Sequence, residues 1–369
     1  MRDIHGGNIW GASAGSSIPL EEIVDFSASI NPFGAPRGVG AAIENTLKKN
    51  LASPYPDPES SALRASLSDF HGVRASEVLP GNGSTEFIHL LPDVYRPKNA
   101  LIVEPAFSEY RRALENRGCR VEGFILREKD GFAFNLDKFA DKVKRGFDVV
   151  VLANPANPTG VLMEKAEVVE AAKICGREGA TLVVDEAFAD FTEAVSIKRE
   201  GAAFRNVVVL RSMTKFFSMA GLRLGFIIAH ASTVRRFASL IPPWSVNTFA
   251  SAAGVEALKD AGYIAKTLRW AKEERGILLK GLASIEALKP YPGAANFLMA
   301  KIIAPLTAGE LKARLFRDGI LIRDLSAFRG LGKRYFRVAI RKNRENRLLI
   351  GALRSVFEKG RDKDIAGGL

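Results

Sequence analysis

Cysteine is almost absent from this chain. Cys119 and Cys175 are its only two in 369 residues. Two cannot build a disulfide framework, and neither has metal-ligand spacing, so a reducing compartment and no metal are expected. Long apolar runs are missing as well. No stretch approaches the ~20 apolar residues of a membrane helix, and the N-terminal MRDIHGGN lacks the apolar core of a secretory signal. The reading is a cytoplasmic protein with no membrane partner. Acidic residues are in deficit: 41 Asp and Glu face 53 Lys and Arg, a net charge of +12. Eight basic side chains fall between Arg329 and Arg347 against one acid, Glu345. That balance suits either a polyanion or small anions. No aromatic interleaving and no nucleic-acid motif accompanies it, so a mixture of solvated surface and an anion-binding site is expected, and nucleic acid is not.

What is there is an alternation. Short Val/Ile/Leu-rich runs at 100–103, 149–152, 181–184, 207–210 and 225–229 are separated by about 20–45 residues. Such spacing implies crossovers, several of them helical, and a mostly parallel sheet covered on both faces. The fold class is α/β. A chain of this length is expected to divide into a large and a smaller domain. Residues 1–40, rich in Gly, Ser, Asn and Pro, read as an N-terminal arm that packs with the smaller domain. Residues 41–250 read as the large domain and 251–369 as a small α+β domain. Within them, helices are expected at 41–50, 61–71, 307–318 and, as one long element, 249–282. Strands are expected at 296–301 and 335–340. The prolines of Tyr55-Pro56-Asp57-Pro58 make that segment extended.

In such sheets ligands bind at the carboxyl ends of the strands, and the chemistry-bearing residues collect there. Phe107, Asn157, Asp185 and Lys215 each follow an apolar run. The stretch LRSMTKFFSMAGLRLG sets Ser212 and Thr214 beside Lys215, with Arg223 eight residues on. A lysine at a strand end can have its pKa lowered by desolvation and a neighbouring cation, and can then form an imine with an aldehyde. Hydroxyls and an arginine suit a phosphate. Together they describe a pocket for pyridoxal phosphate; an ordinary surface loop is the competing reading. Gly81-Asn82-Gly83-Ser84-Thr85-Glu86 opens a helix, whose free N–H groups and dipole make an anion seat. Alone it is as much a simple helix cap as a phosphate site. Asp185 closes a strand, where a buried carboxylate is costly unless paired; a pyridinium N–H is one partner and a helix-cap role is the other reading.

Five motifs in order carry a resemblance: G-N-G-S-T-E, P-A-F-x-x-Y from Pro105, N-P-x-N-P-T-G from Asn154, D-E-A-F from Asp185, and S-x-T-K with R-x-G from Ser212. Over roughly residues 25–345 the chain resembles the fold-type I pyridoxal-phosphate enzymes of the aspartate aminotransferase superfamily. The resemblance implies a large domain with a mostly parallel, seven-stranded-type sheet and a small α+β domain. It implies a cofactor site of Gly83, Ser84, Thr85, Phe107, Asn157, Asp185, Ser212, Thr214, Lys215 and Arg223. Phe107 would stack on the cofactor ring, Asn157 would bond its ring oxygen, and Asp185 and Lys215 would be catalytic. Tyr55 would reach the cofactor phosphate of a neighbouring subunit, which implies a homodimer with shared sites. Many superfamily members carry tyrosine three residues after the aspartate; here it is Phe188, which cannot donate to the ring oxygen.

The N-terminal pieces His5-Gly6-Gly7-Asn8, Asp25 to Pro32 and Tyr55-Pro56-Asp57-Pro58 narrow the resemblance. They are similar to the threonine-phosphate decarboxylase branch of cobalamin biosynthesis, with the histidinol-phosphate aminotransferases as near relatives. Either branch implies a small phosphorylated amine or amino acid as substrate. Arg323, Arg337, Asn31 and His5, with Asn157, match substrate-binding positions. Decarboxylation and transamination differ in which bond at Cα stands perpendicular to the ring, and the sequence does not display that geometry.

Overall fold

The structure, a computed structural model, describes residues 6–366, with side chains as far as Glu358. The chain forms two units. The larger holds residues 33–157 and 161–267. The smaller holds the described residues up to Pro32, the short piece Pro158–Gly160, and the described residues from Leu268 on.

The larger unit is built on a seven-stranded sheet in the order Val78–Gly81, Gly225–Ile228, Val207–Ser212, Thr181–Asp185, Val149–Ala153, Asn99–Glu104, Arg120–Ile125. Gly225–Ile228 pairs antiparallel with both neighbours; the remaining pairings are parallel. The central strands read as unbroken apolar runs because helices cover both faces. Val149, Val150, Val151, Leu182, Val183, Val207, Val208 and Val209 are all fully buried. On one face Phe87, Ile88 and Leu91 of the helix Ser84–Tyr95 pack against Ile102, Val151, Val183 and Val208.

Two strands escaped the sequence reading, for opposite reasons. Val78–Gly81 contains Pro80 and Gly81 and reads as a turn, yet it lies at a sheet edge, where proline is tolerated. Arg120–Ile125 is the other edge, half-exposed and interrupted by Glu122 and Gly123, so it shows no apolar run. The expected long helix is two: Thr248–Ala257 and Ala261–Ala283. Asp260 divides them, its Oδ1 accepting the Tyr263 N–H at 2.8 Å as a fresh N-terminal cap. The helix expected at 41–50 spans Arg37–Lys48 instead, its start set by Pro36.

The smaller unit contains an antiparallel sheet in the order Arg323–Asp324, Tyr335–Ala339, Phe297–Ile302, Leu288–Tyr291. Residues from the N-terminal arm belong to it. Val24–Asp25 pairs parallel with Ile320–Leu321, and the Phe26 carbonyl accepts the Ala339 N–H at 2.8 Å. Sequence patterning put the arm's end at residue 40 and the second domain's start at 251; the structure divides the chain after residues 32 and 267. Among the described residues no helix is long and apolar enough to cross a membrane. Both cysteines are buried free thiols.

Candidate active site

Strand register builds a rim in the larger unit. Ala153 lies opposite Asp185, Asp185 opposite Leu210, Ser212 opposite Gly225, and Gly225 opposite Gly81. The parallel strands therefore end side by side, and their last residues and the loops that follow carry the candidate residues.

Asp185 is 7% exposed. Its Oδ2 accepts the Tyr110 hydroxyl, and its Oδ1 accepts the Ala187 N–H at 2.8 Å. Burial pushes its pKa above the ordinary carboxylate value, while Tyr110, the Ala187 amide and the charge of Lys215 pull it back. Lys215 is half-buried on the same rim. Phe107, also half-buried, meets Tyr110 edge-on at 5.7 Å between ring centroids. Phe188 is buried.

The N-P-x-N-P-T-G loop is held shut at its base. Asn154 exchanges two hydrogen bonds with the backbone of Met163, at 2.9 and 3.0 Å, and the Ala156 N–H donates to the Val161 carbonyl at 2.8 Å. The Glu104–Pro105 and Asn154–Pro155 peptides are cis. Asn157, half-buried, sits at the loop's tip.

A second group forms around the helix Ser84–Tyr95. Its N-cap is Gly83, with φ +79° and no capping side chain, so the first amides keep their donors. A Cβ on Gly83 would lie 2.8 Å from Arg223 Nη2. A Cβ on Gly225 would lie 2.2 Å from the Ser84 nitrogen. The two glycines thus let helix start, strand and guanidinium converge. Ser212 Oγ and Thr214 Oγ1, both buried, bond each other at 2.7 Å. Arg223 is exposed, its Nη1 donates to the Ala220 carbonyl at 3.3 Å, and no carboxylate pairs with it among the described residues. Open amides, two hydroxyls and an unneutralised guanidinium are a donor set suited to a phosphate. A carboxylate and an aromatic ring on the same rim suit a cationic heteroaromatic ring. The residues present fit pyridoxal phosphate. Tyr55 is 77% exposed and stacks on Trp244 at 4.2 Å between ring centroids.

In the smaller unit Arg323 and Arg337 face each other across an antiparallel pair, each 8% exposed. Arg337 Nη2 donates to the Ser27 carbonyl at 3.0 Å. Burial, and then the charge of Arg323, lower the Arg337 pKa to about 9, with Asp25 opposing. Two buried guanidiniums side by side suit anionic groups. Asn31 is buried in the same unit. His5 lies outside the described residues.

Sequence reasoning passed over two groups. Tyr110 was visible as the tyrosine of P-A-F-x-x-Y, one helical turn after Phe107. Arg211 is fully buried within the strand Val207–Ser212. It bonds Glu186 at 3.0 Å and Asp190 and Glu193 at 2.7 Å each. A charge inside an apolar run was the available signal, since buried charges need partners.

The model of the family "Aminotransferase class I and II" matches residues 21–353. The threonine-phosphate decarboxylase of Salmonella typhimurium is 37% identical over 358 residues, covering 96% of each chain. Among solved structures, the histidinol-phosphate aminotransferase of Clostridium acetobutylicum has a TM-score of 0.83 at 28% identity, covering 90% of this chain and 99% of that one. L-threonine-O-3-phosphate decarboxylase of Porphyromonas gingivalis has a TM-score of 0.81 at 27% identity, covering 91% and 100%. The chain belongs to the aminotransferase class I and II family.

Proposed function

We propose, from that membership, that the chain is a pyridoxal-phosphate-dependent carboxy-lyase. It converts L-threonine O-3-phosphate into (R)-1-amino-2-propanol O-2-phosphate and carbon dioxide, a step of cobalamin biosynthesis. The observation that carries this reading is the 37% identity to the Salmonella typhimurium decarboxylase over nearly the whole of both chains. Bound at the rim, the cofactor supplies an electron sink for the bond broken at Cα. Lys215 anchors it and handles the proton at Cα. Asp185 would pair with its ring nitrogen, Phe107 would cover the ring, and Asn157 would donate to the ring oxygen. Gly83, Ser84, Thr85, Ser212, Thr214 and Arg223 hold its phosphate, joined by Tyr55 from the second subunit of a homodimer. Arg323, Arg337, Asn31 and His5 bind the substrate's two anionic groups. The bond from Cα to the carboxylate breaks, carbon dioxide leaves, and a proton takes its place on Cα. The two buried thiols fit a cytoplasmic setting.

The second reading is a histidinol-phosphate aminotransferase, favoured by the TM-score of 0.83 to the Clostridium acetobutylicum enzyme. One paired assay separates them. Phosphothreonine alone should release carbon dioxide with no keto acid present. Glutamate formed from histidinol phosphate and 2-oxoglutarate, with no carbon dioxide from phosphothreonine, would give the function to the aminotransferase. Unphosphorylated threonine should react far more slowly, because the remote phosphate supplies binding energy that orients the scissile bond.

A further inference from the structure

Tyr110 lies in the first turn of the helix Ser108–Glu115 and is 1% exposed. Its ring is fixed edge-on to Phe107, and its hydroxyl reaches across 75 residues of sequence to Asp185 Oδ2. The carboxylate's two donors differ in kind. The Ala187 amide comes from the turn that follows the strand, and nearly any residue there would supply it. The Tyr110 hydroxyl comes from a side chain on a separate helix. A phenol this buried holds its proton well above its ordinary pKa, from burial first and the nearby Asp185 charge second. It therefore remains a neutral donor at any working pH. The titratable groups acting on Asp185 are Tyr110 and Lys215. Phe188 offers no hydroxyl to the site, whereas Tyr110 brings a phenol directly onto the carboxylate.

We propose that Tyr110 is a positioning residue for the reaction: its hydroxyl fixes the orientation and charge of Asp185, and through Asp185 the protonation of the cofactor's ring nitrogen. The proposal rests on the pyridoxal-phosphate reading of the site. A purely structural tyrosine would bond some buried acceptor and leave the cofactor's electronics untouched. Here the acceptor is the group aimed at the ring, and losing the bond makes Asp185 a better proton acceptor. The ring proton then shifts toward the carboxylate, and the ring becomes a poorer electron sink.

The test compares wild type, Tyr110→Phe and Asp185→Asn as holoenzymes loaded with pyridoxal phosphate labelled with ¹⁵N in the ring. In Tyr110→Phe the ring-nitrogen resonance should move toward the neutral pyridine value. Turnover at saturating substrate should fall on the order of ten- to a hundredfold, the range that a hydrogen bond to a charged group supports, with KM little changed. If Tyr110→Phe keeps both resonance and turnover while only its melting temperature drops, Tyr110 is structural and the proposal is wrong. Asp185→Asn separates the two levels of the argument. If it too leaves the resonance at the wild-type position, the assignment of Asp185 to the ring nitrogen fails, and Tyr110's part fails with it.

Discussion

Arg211→Met removes the centre of a buried ionic cluster, and its cost can be worked from the contacts. Wild type sets three carboxylates, Glu186, Asp190 and Glu193, around Arg211. Lys198 adds a second cation at 2.5 Å from Glu193. Glu186 is further held by the Ser196 hydroxyl at 2.5 Å and the Ile197 amide at 2.9 Å. Burial would lower the Arg211 pKa, but the three carboxylates hold it above its ordinary value, so the guanidinium stays charged. His71, buried against the cluster, is kept well below its usual pKa by burial first, then by Arg211 and Lys198. It adds no positive charge near neutrality. Methionine would leave the buried Glu186, the mostly buried Asp190 and the part-exposed Glu193 with one lysine.

Removing one partner of a buried pair costs about 3–5 kcal/mol. Glu193, 38% exposed, adds little through solvent screening, so a loss within that range, carried by Glu186 and Asp190, is expected at neutral pH, out of a typical ~5–15 kcal/mol total. The pH dependence gives the sharper test. Burial already raises the pKa of Glu186 and Asp190, with Arg211 opposing, and removing Arg211 raises both further. A group whose folded pKa lies above its unfolded value contributes stability below the unfolded pKa and loses it as pH rises through the folded one. The deficit of Arg211→Met should therefore shrink on acidification from pH 7.5 toward 5, as the orphaned acids take up protons. Urea unfolding of both proteins, at one protein concentration and several pH values, measures it. A deficit below ~1 kcal/mol at pH 7.5, or one that does not change with pH, would refute the ionic account of this cluster.

Other predictions concern the rim directly. Borohydride treatment of the yellow holoenzyme should fix the cofactor to the peptide carrying Lys215; label on another lysine means the site is misassigned. Gly225→Ala puts a Cβ 2.2 Å from the Ser84 nitrogen, so it should cost ~1–3 kcal/mol of stability and weaken cofactor retention in equilibrium dialysis; unaltered retention would mean the helix start does not seat the phosphate. Sedimentation should report a dimer, and Tyr55→Phe should loosen cofactor binding; a fully active monomer contradicts the shared-site reading.

The larger fold was legible because parallel strands buried on both faces leave a contiguous signal. Val149–Ala153 and Val207–Ser212 show it almost residue for residue. Edge strands carry no such signal, and Arg120–Ile125 and Val78–Gly81 were invisible for that reason. The chemistry followed the same division. Residues proposed to meet a ligand's shape and charge, such as Lys215, Asp185 and Asn157, stand in short contiguous motifs at or after strand ends. Residues demanded by other residues do not. Arg211 answers acids scattered from Glu186 to Glu193, and only the folded register brings them together. Tyr110 answers Asp185, a partner 75 residues away that no local spacing reveals. Strand alternation explains why both supports were overlooked. Successive side chains point to opposite faces, so Asp185 and Ser212 look toward the rim while Glu186 and Arg211 look away from it. One strand end thereby offers one residue to the proposed ligand site and the next to the ionic cluster. A motif read as a unit, D-E-A-F or R-S-M-T-K, conceals that its alternate letters belong to different sites.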